Sequence, residues 1–168
     1  MKKIFLLIFL LSIVSLSFAE TVPLIIDGKE VKGENIDGVI VYIASVVNVI
    51  ELPLVSGNIG SASGSIKPEE SFWKFEIFIY NKTDKEILIT QNNLQLIDED
   101  WKKYFPDISA SIYYAINGEE VFFRKYLKPG ELAGGILVYD VSKSSKPYRL
   151  NILDIPTQGK SYHITIKI

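Results

Sequence analysis

Hydrophobic and polar residues alternate with a period of two along most of the chain, and this period is typical of strands with one buried face. The clearest example is the run at residues 71–80 (SFWKFEIFIY). One face of this predicted strand carries Trp73, Phe75, Ile77 and Ile79. We expect this face to meet the core, because it holds the larger and more regular set of apolar side chains.

Similar runs predict further strands over residues 24–31 (as a hairpin), 39–50, 86–90, 93–98, 121–127, 135–141, 148–152 and 161–168. Turn dipeptides such as Asp27-Gly28, Asn117-Gly118 and Pro129-Gly130 separate them. Residues 108–116 (ISASIYYAI) fit a strand or a short helix equally well, and the Gly- and Ser-rich segment 53–67 is predicted to be a flexible loop. Short strands joined by such turns indicate an all-β, antiparallel β-sandwich.

The N-terminus has the three parts of a secretory signal peptide. Two lysines precede a 13-residue apolar run at residues 4–16, and Ser17-Phe18-Ala19 offers small residues at a cleavage site before Glu20. The run is short for a membrane span, which needs about 20 residues. We therefore predict a signal peptide at residues 1–19, a single domain at residues 20–168 and a secreted, extracytoplasmic protein, periplasmic or extracellular. An uncleaved N-terminal anchor remains the alternative.

Composition narrows the chemistry of this domain. The 168-residue chain has no cysteine and one histidine, so disulfides, thiol nucleophiles, Cys-based metal sites and any site that needs two imidazoles are excluded. Without Lys2 and Lys3 the chain carries 16 basic and 20 acidic residues. A net charge of −4 gives no basic surface for nucleic acid or anionic lipid, so nucleic acid is not an expected partner.

Three segments carry a family resemblance: WKFEIFIYNKTDKEI, LQLIDEDWKKY and LKPGELAGGILVYDV. Together the block from Phe72 to Val141 resembles a family of exported bacterial immunoglobulin-like domains of unknown function. Fold relatives of that family include the small secreted immunoprotective antigen of mycobacteria. The resemblance implies an immunoglobulin-like sandwich and an exported location, and it brings no catalytic residues. One departure is Trp101, which replaces the Gly that the family has in this turn.

Ionisable residues offer candidate chemistry, and for each we prefer a structural role. His163 alternates with Tyr162 and Ile164, which places it on a solvent-facing side without the partners of a catalytic triad. Asp98, Glu99, Asp100 and Asp107 form the densest carboxylate group and offer oxygen ligands to calcium, although their spacing is not that of an EF-hand. Paired carboxylates suited to glycosidase chemistry exist by residue type at Glu119-Glu120 and at Asp98 with Asp100. We expect no catalytic, cofactor or metal site.

Two short motifs also have plain interpretations. Gly57, Gly60 and Gly64 lack the Gly-Lys-Ser/Thr of a phosphate-binding loop, and Asn81-Lys82-Thr83 matches a glycosylation sequon that we interpret as a turn.

Aromatic residues are the last candidates for a binding surface. They are Phe72, Phe78 and Tyr80 opposite the predicted core face, and the adjacent pairs Tyr113-Tyr114 and Phe122-Phe123. Neighbouring strand residues face opposite ways, so one member of each pair should leave the core. Either these aromatics form a binding face, or the loop at residues 53–67 or the N-terminal hairpin covers them; we favour the cover.

These observations favour a non-enzymatic, exported β-sandwich that acts as a binding or structural module in the cell envelope or outside the cell. Its partner would be an envelope or extracellular protein or a glycan, and its oligomeric state stays open. A secreted proteinase inhibitor that presents the loop at residues 53–67 is the alternative. A glycan-acting enzyme built on carboxylates is a third and weaker hypothesis.

Overall fold

A computed structural model describes residues 23–53, 65–122 and 124–166 of the chain. Several predicted features lie outside the described residues: the signal peptide at residues 1–19, residues 54–64 of the predicted loop with Gly57, Gly60 and Gly64, Phe123 and Lys167.

Antiparallel strands make up most of the described chain. In order they are β1 (Leu24–Ile26), β2 (Lys29–Val31), β3 (Gly33–Ile36), β4 (Val39–Val49), β5 (Leu52–Pro53), β6 (Ser65–Ile66), β7 (Ser71–Asn81), β8 (Ile87–Thr90), β9 (Leu94–Asp98), β10 (Lys103–Tyr104), β11 (Arg124–Leu127), β12 (Leu132–Val141), β13 (Pro147–Leu153) and β14 (Ser161–Thr165). One α-helix, α1 (Ile108–Ile116), and a short 3-10 helix, Gln91–Asn93, interrupt them.

Two four-stranded sheets form the body of the domain. The first sheet has the order β12-β7-β4-β3, and the second sheet has the order β10-β9-β13-β14. Their facing sides share one apolar core, to which Phe75 and Leu137 contribute from the first sheet and Leu96 and Leu150 from the second. The Tyr139 hydroxyl crosses this core and donates a hydrogen bond to the Leu94 carbonyl at 3.0 Å. Two sheets packed on a common core are a β-sandwich, as the strand pattern predicts.

The predicted core face of the long strand β7 is confirmed. Phe75, Ile77 and Ile79 of β7 are fully buried, and Trp73 packs at the margin of the same core. Opposite them on β12, the side chains of Leu137, Tyr139 and Val141 are also fully buried. Burial alternates with a period of two from Phe75 to Asn81 of β7. On β12 it does not, because Ile136 and Val138 are also buried, in the cluster with Ala110 of α1.

Tight turns also fall where the dipeptides predict them. Asp27 and Gly28 join β1 to β2 with φ of 49° and 74°, values that suit the right-handed twist of a hairpin. A second turn of the same kind, Asp37-Gly38, joins β3 to β4 with φ of 48° and 90°. The sequence reasoning had missed β3, because its residues (GENI) alternate too weakly to be seen.

Residues 108–116, for which a strand and a helix were equally open, form helix α1. The Asp107 carboxylate caps it by accepting a hydrogen bond from the Ala110 backbone N–H at 2.7 Å. Ala110 packs with Phe72 on the outer side of the first sheet. The helix therefore supplies a cover that the sequence analysis assigned to other segments.

The predicted loop at residues 53–67 has ordered ends. Leu52 and Pro53 pair with Ile66 and Ser65 as the short ladder β5–β6, so the loop boundaries from sequence are too wide. Leu52 and Ile66 join the small cluster around Phe72. The prediction that the loop at residues 53–67 covers outward-facing aromatic residues is confirmed for Ile66, which packs in the cluster of Phe72.

Candidate functional site

An aromatic and cationic stack lies on the outer face of the second sheet. The Arg149 guanidinium carbon is 4.8 Å from the ring centroid of Trp101 and 4.8 Å from that of Tyr148. The two rings meet edge to face, with centroids 6.0 Å apart. Trp101 remains 61% exposed, so most of a large flat apolar side chain faces solvent while it is held in one orientation. We call these three residues the Trp101 stack.

The turn between β9 and β10 presents Trp101 in an unfavourable backbone conformation. Its φ is 65°, in the left-handed region that favours glycine. A φ in this region is an outlier for a bulky residue such as tryptophan. The Trp101 N–H bonds the Asp98 carbonyl at 3.1 Å, which closes the turn. The ring contributes nothing to the apolar core, so the surface contacts with Arg149 and Tyr148 are the packing gain that offsets the backbone cost. Such local strain is a feature of functional sites.

Asp98 fixes this turn from below. Its carboxylate accepts hydrogen bonds from the Tyr104 hydroxyl at 2.6 Å, the Lys102 N–H at 2.9 Å and the Asp100 N–H at 3.0 Å. Burial raises the pKa of the Asp98 carboxyl, but these hydrogen bonds outweigh burial and hold the pKa below its ordinary value. Burial, together with the bond to Asp98, raises the pKa of Tyr104 to about 12. The charged carboxylate is thus the form that holds the turn.

A β-bulge brings in the other two members of the stack. In the pairing of β13 with β9, Pro147 faces Asp98 and Arg149 faces Ile97, so Tyr148 is an extra residue. In a regular strand the side chains of Tyr148 and Arg149 would point to opposite faces. The bulge lets both side chains contact Trp101. The Arg149 Nη2 donates a hydrogen bond to the Tyr148 hydroxyl at 3.4 Å.

Polar residues continue the outer face beyond the stack. Arg149 pairs with Thr165 on β14, and one step further Asn151 pairs with Gln95 on β9 and with His163 on β14. His163 and Thr165 are exposed, Asn151 is half-buried and Gln95 is buried. The predicted solvent-facing position of His163 is confirmed, and it stands in this polar row.

Three of the candidate carboxylates have separate structural tasks. Asp98 holds the β9–β10 turn and Asp107 caps α1, as described above, while Glu120 forms an ion pair with Lys125 at 2.8 Å. Within the described residues, no group of three or more carboxylate, histidine or cysteine side chains is placed to hold a metal ion. In the same part of the chain, no helix is long and apolar enough to cross a membrane.

The sequon lies at a turn, as predicted, with its asparagine buried and Lys82 exposed. The Asn81 side chain is fully buried. Its amide Nδ2 donates to the backbone carbonyls of Lys85 at 2.7 Å and Leu127 at 2.9 Å. Its Oδ1 accepts from the Thr83 hydroxyl at 2.6 Å, so the amide organises the turn.

The aromatic candidates from sequence are mostly covered. Phe72 is buried under α1, and Phe122 is buried in the main core. The expectation that one of Tyr113 and Tyr114 leaves the core assumed a strand and is wrong, because both are half-buried on the helix. Phe78 and Tyr80 are half-buried.

Sequence reasoning missed the Trp101 stack as a site. It had marked Trp101 only as a departure from a turn glycine, and it had not singled out Tyr148 or Arg149. A bulky residue at a turn position that suits glycine was the available signal. The long-range pairing that brings Arg149 under the ring had no signal in the sequence.

The fold defines a class, a small antiparallel β-sandwich, and the Trp101 stack lies on its exposed sheet face. The chain belongs to the family described as "Domain of unknown function (DUF4352)", whose model matches residues 47–162. A comparison with curated proteins found no match.

Solved structures are similar in fold. The yjhA protein from Bacillus subtilis aligns with a TM-score of 0.57 at 14% identity, over 81% of this chain and 97% of that one. A conserved hypothetical protein from Bacillus anthracis aligns with a TM-score of 0.52 at 23% identity, over 81% of this chain and 92% of that one. A structure called an uncharacterized beta-sandwich protein, from Clostridium difficile 630, has a TM-score of 0.42 at 14% identity, over 81% and 90% of the two chains. The TM-scores of 0.57 and 0.52 in the first two comparisons indicate a shared fold. Sequence identities of 14% and 23% support nothing finer than the fold.

Proposed function

We propose that this protein is an exported, non-enzymatic β-sandwich that binds a partner in the cell envelope or outside the cell through the Trp101 stack. The observation that carries the proposal is the exposure of Trp101 in a strained turn, over an arginine that a β-bulge places beneath it. Tryptophan, tyrosine and arginine are the residue types that dominate binding energy at contact surfaces.

The non-enzymatic part of the proposal is supported by the tasks of the ionisable groups. The carboxylates of Asp98 and Asp107 accept hydrogen bonds that close a turn and cap a helix, and Glu120 is paired with Lys125. These tasks are structural. A proteinase inhibitor that presents the loop at residues 53–67 is the alternative function, and residues 54–64 of that loop lie outside the described part of the chain.

Export and family detail complete the proposal. The N-terminal pattern supports a signal peptide cleaved before Glu20. The family resemblance of the block from Phe72 to Val141 supports an immunoglobulin-like sandwich related to the mycobacterial secreted antigen. Mass spectrometry of the exported protein tests cleavage, because a chain that begins at Met1 would contradict it.

Affinity capture tests the binding role. Tagged protein and the Trp101→Ala variant are compared on solubilised envelope and on culture medium. We expect the tagged wild-type protein to retain a protein or a glycan that the Trp101→Ala variant does not retain. Equal retention by both, or retention of nothing by either, would overturn the role of the Trp101 stack.

A further inference from the structure

We propose that the ligand of the Trp101 stack is an anionic glycan chain, which lies on Trp101, places an acid group at Arg149 and continues over Asn151 and His163. This inference rests on the proposed function and names its ligand. It is carried by the geometry of the stack, the unmatched charge of Arg149 and the polar rows beside it.

Trp101 provides the platform for a sugar ring. One face of its indole lies over the Arg149 guanidinium, and the side chain is 61% exposed, so contact area remains open to a ligand. Sugar rings have flat C–H faces that suit a rigid aromatic surface, whereas their hydroxyls need polar groups at the edge. An aromatic surface with a few convergent polar groups is the usual composition of a small-ligand site.

Arg149 provides the charge preference. None of the ion pairs within the described residues includes it, and its buried Nε has no hydrogen-bond partner there. A partly buried cation outside these ion pairs favours a ligand that brings an acid group to it, and the planar guanidinium suits a carboxylate or a phosphate.

The other charges give the ligand a direction. Glu99 and Asp100 stand exposed in the turn just before Trp101 and repel a second anion there. Lys102 is engaged over the Tyr104 ring, 5.1 Å from its centroid. An acidic chain therefore runs away from the turn, from Trp101 over Arg149 and along the sheet.

The polar rows lie in that direction. Thr165 stands beside Arg149, and Asn151 with His163 forms the next row, about 7 Å further along the strands. The Asn151 amide lies 3.5 Å from the buried Gln95 side chain, which orients it. A ligand that contacts both Trp101 and this row is longer than one sugar ring.

A protein partner fits the same surface less well. A stable protein interface buries about 800 Å² per partner around an apolar centre. Around the Trp101 stack the outer face of the sheet presents the exposed side chains of Lys103, His163 and Thr165 and the half-buried side chain of Asn151. Lys103 pairs with Ile97, as Arg149 does, so a second cation lies in the same row of the sheet. One aromatic platform within a polar face matches a glycan.

Binding of envelope polysaccharide to the purified protein tests the inference. The probe is polysaccharide released from the envelope of the source organism, used untreated, after amidation of its carboxylates and after acid removal of its phosphates. Polyglutamate serves as a polyanion without sugar. Calorimetry and the emission of Trp101 report binding, and Trp101→Ala, Arg149→Gln and Arg149→Lys are compared.

The chain offers a matched control. Arg124 also stacks on an exposed aromatic ring, that of Tyr126, with 5.5 Å between its guanidinium carbon and the ring centroid. We expect Trp101→Ala and Arg149→Gln each to weaken binding at least tenfold, Arg149→Lys to weaken it several-fold, and Tyr126→Ala to change it less than twofold. The treatment that abolishes binding identifies the acid group as carboxylate or phosphate.

Other outcomes overturn the inference at different levels. Unchanged binding after both treatments would exclude an anionic ligand, and equal binding of polyglutamate would exclude a glycan. If no polysaccharide binds while capture still yields a protein that depends on Trp101, the glycan is wrong and the binding role stands. If nothing captured depends on Trp101, both proposals fail.

Discussion

Two arginines on the surface of this domain stack on aromatic rings, and they are built very differently. Arg124 lies over Tyr126, its neighbour two residues along β11, and its Nη2 donates to the Tyr126 hydroxyl at 2.8 Å. Residues two apart on a strand share a face, so this pair needs nothing beyond a strand. Tyr126 is 52% exposed, close to the exposure of Trp101.

The Trp101 stack needs much more structure. It joins residues from the β9–β10 turn and from β13, and it requires a left-handed backbone at Trp101 and a bulge at Tyr148. Both stacks end with an exposed ring. The difference shows that exposure alone is ordinary, whereas backbone cost accepted for an exposed ring indicates a role outside folding.

Breaking the support of the turn is the strongest way to test this difference. In Asp98→Asn the buried charged acceptor of three hydrogen bonds is lost, and we expect the free energy of unfolding to fall by about 2 kcal/mol. Urea denaturation measures the loss, and Asp100→Asn, an exposed neighbour, is the control. A change below that of the control would mean that the turn does not depend on Asp98.

Acid should weaken the same support. The pKa of Asp98 is below its ordinary value in the folded state, so its stabilisation is present at neutral pH and is lost as the pH falls below about 4, through the folded pKa. The stability gap between the wild type and Asp98→Asn should therefore narrow between pH 6 and pH 3. Denaturation curves at both pH values measure it, and a constant gap would contradict the shift.

Much of the sandwich could be predicted because its strands have one face on the core. The alternation in β7 follows directly from that burial, and so do the buried Phe75 and Ile77. In β12 both faces are buried, since Ile136 and Val138 pack in the cluster with Ala110 of α1. Turn residues added the boundaries, since Asp27-Gly28 takes the positive φ that a two-residue hairpin requires.

Helix α1 shows why the rest could not be predicted. Its Ile108, Ile112 and Ile116 are exposed, while Ala110 and Ser111 are buried. Because the larger apolar residues face solvent, the hydrophobic pattern opposes the burial and gives no usable period. The Trp101 stack was hidden for another reason: it depends on the register between β9 and β13, which no local pattern encodes.

Replacing Trp101 separates the backbone cost from the contact. Trp101→Ala and Trp101→Gly both remove the ring, but only glycine accepts a φ of 65° without steric cost. We expect the glycine variant to be more stable than the alanine variant by about 1 kcal/mol, and to bind no better. Thermal denaturation of the two variants measures the difference. Equal stability would mean that the turn stores no strain.

The smallest effect should come from the simpler stack. Tyr126→Ala removes an exposed ring from a regular strand, so we expect a change in stability within about 0.5 kcal/mol. Double-mutant cycles compare the two stacks. We expect a coupling energy of about 1 kcal/mol between Arg149 and Trp101, because Arg149 is partly buried, and a smaller coupling energy between Arg124 and Tyr126. Equal couplings would show that the turn and the bulge add no rigidity to the Trp101 stack. In that case the strained backbone at Trp101 would not hold the ring in a fixed geometry, and the exposure of Trp101 would be no evidence for a binding role.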